Sequence, residues 1–160
     1  MTYDEMLEIA SNEGIQVIEF DFSDTNMSGY YCDDIVFIDK NSASTIEKKC
    51  VLAEEIGHHF TAAAGDITEA NDVTKLKIEN LGRQWGYNQL ISIEDIVYSI
   101  IGGCETAADI ADHLDITEEF LSEATAYYAK KYGYETIIAD HRVLFSDCSI
   151  IVHPLLEDIC

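Results

Sequence analysis

The residues best placed to do chemistry lie in one short stretch, Cys50-Val51-Leu52-Ala53-Glu54-Glu55-Ile56-Gly57-His58-His59-Phe60. Leu52, Ile56 and Phe60 form an apolar stripe at helical spacing, and a helix turns about 100° per residue. Glu54 and His58, four apart, therefore share one face, with Glu55 one step round. In the H-E-x-x-H helix of zinc peptidases, histidines at i and i+4 hold the metal and the glutamate between them activates a bound water as general base. In this sequence Glu55 stands at the base position, His58 at the second ligand position and Glu54 at the first.

A carboxylate can ligate zinc at about 2.0–2.2 Å, so Glu54 is a candidate metal ligand beside His58. It would weaken the metal's Lewis acidity, and two adjacent glutamates repel unless a cation lies between them. The implied cofactor is a divalent metal, zinc first. An oxygen-rich donor set also suits manganese or iron, and a site that binds nothing tightly stays open. Glu55 and His59 offer a second register, but His59 lies toward the apolar stripe and reads as a satisfied core residue. Cys50, four before Glu54, reads as packing. Taken alone E-E-x-x-H is a weak motif, because glutamates and histidines on helices are usually just solvated.

The elements that must position these residues can be followed along the chain. Tyr3 to Ala10 reads as a short amphipathic helix stopped near Gly14. Ile15 to Phe22 alternates like a strand, and Gly29 to Cys32 and Asp34 to Asp39 continue it as an antiparallel meander. Caps at Asn41 to Thr45 precede a long helix from about Ser44 to Ala64, broken by Gly65-Asp66. A second helix runs from about Glu69 or Val73 to Leu90. Ile93 to Ile101, Ala107 to Leu114 and Thr117 to Tyr132 are three more. Glu135 to Leu144 and Cys148 to Val152 read as a terminal strand pair. The fold class expected is α+β: a small antiparallel sheet packed on a zincin-like metal-binding helix, then a helical C-terminal half. Residues 1–92 would form the first domain and 93–160 the second, unless the chain is one continuous domain; the seam falls near Ser92 or Gly102-Gly103.

Composition narrows the classes. Thirty-one acidic against nine basic residues give a formal net charge of −22. Such a field repels phosphate backbones, so direct nucleic-acid binding is not expected. It suits a basic partner or simple solubility. Apolar runs fall far short of the roughly 20 residues of a membrane span. Met1 to Glu5 is acidic and unlike a signal peptide, and five scattered cysteines without a C-x-x-C pair fit reducing surroundings, so a cytoplasmic location is expected.

The ordered set of segments resembles the ImmA/IrrE family of metallo-endopeptidases, especially the short members carried by phages and mobile elements of Gram-positive bacteria. The resemblance rests on Thr2 to Leu7, Gly29 to Asp33, Glu47 to Thr61, Arg83-Gln84-Trp85-Gly86-Tyr87 and Ile116 to Leu121. It implies a third metal ligand, usually glutamate, from the following helix shortly before an aromatic-small pair. Trp85-Gly86 is similar to that pair, and the nearest acid is Glu79. Glu79 is also four before Arg83, so a surface ion pair is the alternative. Asp72 ranks third and reads as a helix cap. The resemblance thus implies Glu55 as base, and Glu54, His58 and Glu79 as metal ligands. It implies as partner a protein, a helix-turn-helix repressor that such proteases cleave. Altered ligand positions leave open a scaffold that binds a regulator without cutting it, and the charge alone motivates an acidic DNA mimic.

Ala107 to Leu121 has the cadence of a helix-turn-helix, but Glu118, Glu119 and Glu123 stand where a DNA-reading helix carries Arg, Lys, Asn or Gln. A helical module that supports the first domain or docks a basic partner fits better. Tyr127, Tyr128 and Tyr132 read as core and rim, and His113, His141 and His153 have no motif context.

Overall fold

Helix α1 (Tyr3–Asn12) begins at a capping box: Glu5 N–H donates to Thr2 Oγ1 at 3.2 Å and Thr2 N–H to Glu5 Oε2 at 2.6 Å. Its buried face is Met6 and Ala10. The computed structural model describes residues 1–62, 72–146 and 149–155. They form six helices and two small sheets, an α+β arrangement that divides into two compact units, Met1–Leu90 and Ile91–Cys160.

In the first unit, β1 (Gln16–Phe20), β2 (Gly29–Cys32) and β3 (Ile35–Asp39) make a sheet of order β1-β3-β2. The expected meander holds only for the β2–β3 hairpin, where Tyr31 pairs with Val36. β1 instead lies parallel to β3, Val17 beside Val36. The cause is local. Asp33 and Asp34 take φ of 49° and 61°, the left-handed pair that a two-residue hairpin needs and that aspartate tolerates. The long 21–28 connection then carries the chain past, and Asp39 ties it down by accepting Phe22 N–H at 3.4 Å. The central strand presents Val36 and Ile38 to the core, both fully buried.

Helix α2 (Thr45–Ala62) starts where Ser44 Oγ accepts Glu47 N–H at 3.1 Å. Its Leu52, Ala53 and Ile56 are buried against Met6, Ala10, Ile15, Val36 and Ile38, one contiguous apolar core. Helix α3 (Asp72–Leu90) adds Trp85 and Leu90 to that core from its flank. The expected breaker Gly65-Asp66, the expected end of the helix at Ala64 and the alternative start at Glu69 lie outside the described residues, as does the side chain of Asp72.

The second unit holds α4 (Ile93–Ile101), α5 (Ala107–Leu114) and α6 (Glu118–Tyr132), capped by Ser92, Thr106 and Thr117. Between α5 and α6, Asp115 turns with φ 57° and Ile116 is buried, and Glu118 and Glu119 open the first turn of α6. Tyr128 is buried and its hydroxyl donates to Ile91 O at 2.6 Å, while Tyr132 lies at the rim.

The expected terminal strand pair is a three-stranded antiparallel sheet, β4 (Glu135–Ile138), β5 (His141–Ser146) and β6 (Ser149–Pro154). Ala139 and Asp140, at φ 49° and 58°, fold Glu135–Leu144 back on itself. Alanine carries no turn signal, which is why the sequence reads straight through. Cys148 lies outside the described residues. Among the described residues no helix is long and apolar enough to cross a membrane.

Candidate active site

The site is built by the close crossing of α2 and α3. A side chain at Gly57 would run into the carbonyl oxygen of Gly82, and one at Gly86 would press to 3.2 Å on the backbone of Ala53. Glycine on both helices removes that obstacle, so the backbones approach where larger residues would hold them apart. A Cβ at Gly82 would stand 2.5 Å from His58 Nδ1, so the Nδ1 edge of the imidazole lies against α3. Its other nitrogen, Nε2, then faces one turn back along α3, where Glu79 Oε2 lies 3.5 Å away.

Glu79 is shared. Its Oε1 accepts from Arg83 Nε at 3.2 Å, the ion pair that was the alternative reading, while Oε2 faces His58. His58 is largely buried, and burial first of all lowers its pKa below 6.5; the Arg83 charge acts in the same direction, and Glu79 opposes. The imidazole is therefore neutral at pH 7, with a lone pair to offer.

Glu55 is the most perturbed carboxyl of the site. Burial, then the charges of Glu54 and Glu79, push its pKa up to about 8, against weaker opposition from the Tyr31 N–H it accepts and from Arg83. It keeps its proton at neutral pH. Gly29 of β2 makes room for it: an added Cβ there would stand 3.0 Å from Glu55 Oε1. The edge strand β2 thus runs directly over the glutamate. Glu54 is half-buried on the same helix, and what reaches Glu55 from it is charge.

His59 corrects the reading made from the apolar stripe. Its side chain retains 21% of its exposure and is not a core group. Nδ1 lies 2.9 Å from the Tyr31 hydroxyl and 3.2 Å from Asp34 Oδ1, and the Tyr31 hydroxyl reaches the same carboxylate oxygen at 3.2 Å. The three polar groups pin the tip of the β2–β3 hairpin to α2. Nothing in the local spacing announces this set, since Tyr31 and His59 are 28 residues apart. The ring of His59 also stands edge-on to Phe60, whose own ring overlies Trp85 at 4.9 Å. Cys50 is buried, in keeping with packing.

The sequence matches the IrrE N-terminal-like domain of a peptidase family over residues 10–143. The chain belongs to that family. No curated protein matches it. The match joins the α2–α3 crossing, the sheet above it and the α4–α6 helices in one peptidase-like chain, and the resemblance read from the sequence is to the same family.

Members of this family are generally metal-dependent, so the donors must be tested against a metal. His58 Nε2 and Glu79 Oε2 converge, but Arg83 already occupies the second oxygen of Glu79. Among the described residues no group of three His, Cys, Asp or Glu side chains is placed to hold one ion. Two converging donors fall short of the three protein ligands of a catalytic zinc site. The described residues do not fit such a centre, and no chemical step is derived through one.

Proposed function

We propose that this IrrE-like chain is a peptidase-type scaffold that captures the basic face of a helix-turn-helix regulator and holds it uncut. The observation that carries this reading is the Glu79–Arg83 pair beside His58: a guanidinium 3.2 Å from Glu79 competes for the carboxylate that would serve as a metal donor. Glu54, standing where the family's helix carries its first histidine, argues the same way. Three features support protein capture. The net charge of −22 complements a DNA-reading surface. β2, at the edge of its sheet, can accept an extended segment by main-chain pairing. Tyr30 and Phe60, 48% and 40% exposed, offer aromatic contacts in the same unit.

The 3.5 Å approach of His58 to Glu79 favours a second reading, metal-dependent endopeptidase action on the same class of regulator. One experiment separates the two. The chain, supplied with zinc or manganese, is mixed with a purified helix-turn-helix repressor, with and without chelator. Size-exclusion chromatography then reports the complex and gel electrophoresis any fragments. A stable complex with intact repressor, indifferent to chelator and to His58→Ala, supports capture. Fragments that vanish with chelator and with His58→Ala overturn it in favour of hydrolysis.

A further inference from the structure

The second unit contains a cavity of about 300 Å³ between α4, α5 and α6, a size at the lower end of small-molecule sites. Ile96 and Ile100 of α4, Ile110 of α5, and Leu121 and Ala126 of α6 give it an apolar wall. Glu105 and Glu118 line it too, and both are exposed. Among the described residues no lysine, arginine or histidine lines the cavity. Two cations of this unit are engaged elsewhere: Lys131 lies over the rings of Tyr127, Tyr128 and Tyr132 at 5.5, 5.7 and 5.4 Å, and Arg142 donates to Glu135 at 2.6 Å; Lys130 lines the adjoining cavity and not this one.

The amino end of α5 opens at this cavity and would by itself attract an anion. That role is already taken from within the chain. Asp109 Oδ2 accepts the N–H groups of Glu105 and Thr106 at 3.2 and 2.9 Å, and the Asp109 N–H donates to Thr106 Oγ1 at 3.1 Å. The cavity therefore combines an apolar wall, two carboxylates without a cation among the lining residues, and a helix terminus to which Asp109 already brings a carboxylate.

We propose that this cavity binds a small amphipathic ammonium ion: a primary amine on a short apolar body, the body among the isoleucines and the ammonium at Glu105 and Glu118. An uncharged body of the same shape would keep the apolar contacts and lose the charge-assisted ones, and a carboxylate would meet repulsion.

The test is a titration of the full chain, labelled at isoleucine methyl groups, with 2-phenylethylamine, 2-phenylethanol and phenylacetate at pH 7. Shifts of the Ile96, Ile100 and Ile110 methyls report on the cavity. The amine should bind about tenfold more tightly than the alcohol, with phenylacetate weakest. Glu105→Gln with Glu118→Gln should bring the amine down to the alcohol's affinity. Ala126→Phe, which fills the cavity, should abolish both, with circular dichroism showing that the helices remain. If that variant does not fold, the double glutamine variant decides alone. Equal affinity for amine and alcohol, no shift at those methyls, or shifts untouched by the double variant would overturn the proposal.

Discussion

The α2–α3 pair of the first unit is drawn together by side chains that are missing, whereas α4, α5 and α6 of the second are started by side chains that are present. Gly57, Gly82 and Gly86 let two backbones meet and thereby set His58 against Glu79. Ser92, Thr106 and Thr117 each accept a backbone N–H three residues on, at 3.1 Å in every case. Caps act within one turn of chain. The glycine crossing acts between residues about 25 apart in sequence and exists only once both helices are packed. A site built the second way can be tuned by small shifts of one helix, but a single added methyl can also destroy it.

The largest expected effect tests that statement directly. Gly57→Val forces a branched side chain into the Gly82 carbonyl, and neither backbone can yield without pulling Leu52 and Ile56 from the core. Overpacking against backbone should cost about 3 kcal/mol or more, read as a lower urea midpoint. The same variant should lose the His58–Glu79 approach, visible in the His58 ring resonances. A loss below about 1 kcal/mol would mean that the helices slide apart freely, and the contrast between the units would disappear.

Next in size is the pH dependence carried by Glu55. Its folded pKa of about 8 lies above the ordinary 4.5, so the folded chain keeps a proton that the unfolded chain has lost between those values. Stability from this group is complete below pH 4.5, falls as the pH rises, and is gone above pH 8. Glu55→Gln, always neutral, should match the wild type near pH 4 and exceed it increasingly up to pH 8 or 9. Parallel urea midpoints for the two proteins across that range would refute the assignment.

Arg83→Gln sharpens the same comparison. The guanidinium is one of the two influences that hold Glu55 down, and it also lowers the His58 pKa. Without it the Glu55 midpoint should move above about 8 and the His58 midpoint should rise, both followed by resonances of the labelled side chains. The variant also releases Glu79 Oε1, so its zinc affinity should exceed that of the wild type if Arg83 and a metal compete for one carboxylate.

In both units local features could be read from sequence and long-range ones could not. The caps could: Asn41 to Thr45, and Thr117 at the head of α6, lie where helix starts were expected, because a cap is a local event. Glu54, Glu55 and His58 could be nominated because helical spacing puts them on one face. Glu79 was found through its distance from Trp85-Gly86 rather than through any contact. What could not be read depends on distant strands and helices. The parallel seat of β1 is decided by the Asp33-Asp34 turn and the crossing loop, whereas alternation says only that a strand exists. The hairpin at Ala139-Asp140 hides behind a residue with no turn preference. His59 was assigned to the core because its apolar neighbours on α2 are visible in sequence and its polar partners on β2 and the hairpin tip are not.

The smallest effect belongs to the caps, and it limits the comparison from the other side. Ser92→Ala removes the acceptor for Asp95 N–H while leaving the Asp95 carboxylate on the Ser92 N–H at 2.7 Å. The hydroxyl's acceptance from Asp95 N–H and its donation to the Asp95 carboxylate at 2.7 Å are both lost, so the cost should be about 1 kcal/mol, and Ser92→Thr, which keeps the hydroxyl, should recover most of it. The loss should appear as faster amide exchange in the first turn of α4, with α2 and α3 unchanged, because the cap and the glycine crossing belong to different units. If Ser92→Ala instead cost as much as Gly57→Val, the start of α4 would be anchoring more than its own first turn. The buried Tyr128–Ile91 hydrogen bond, one residue before the cap, would then be the contact to break next.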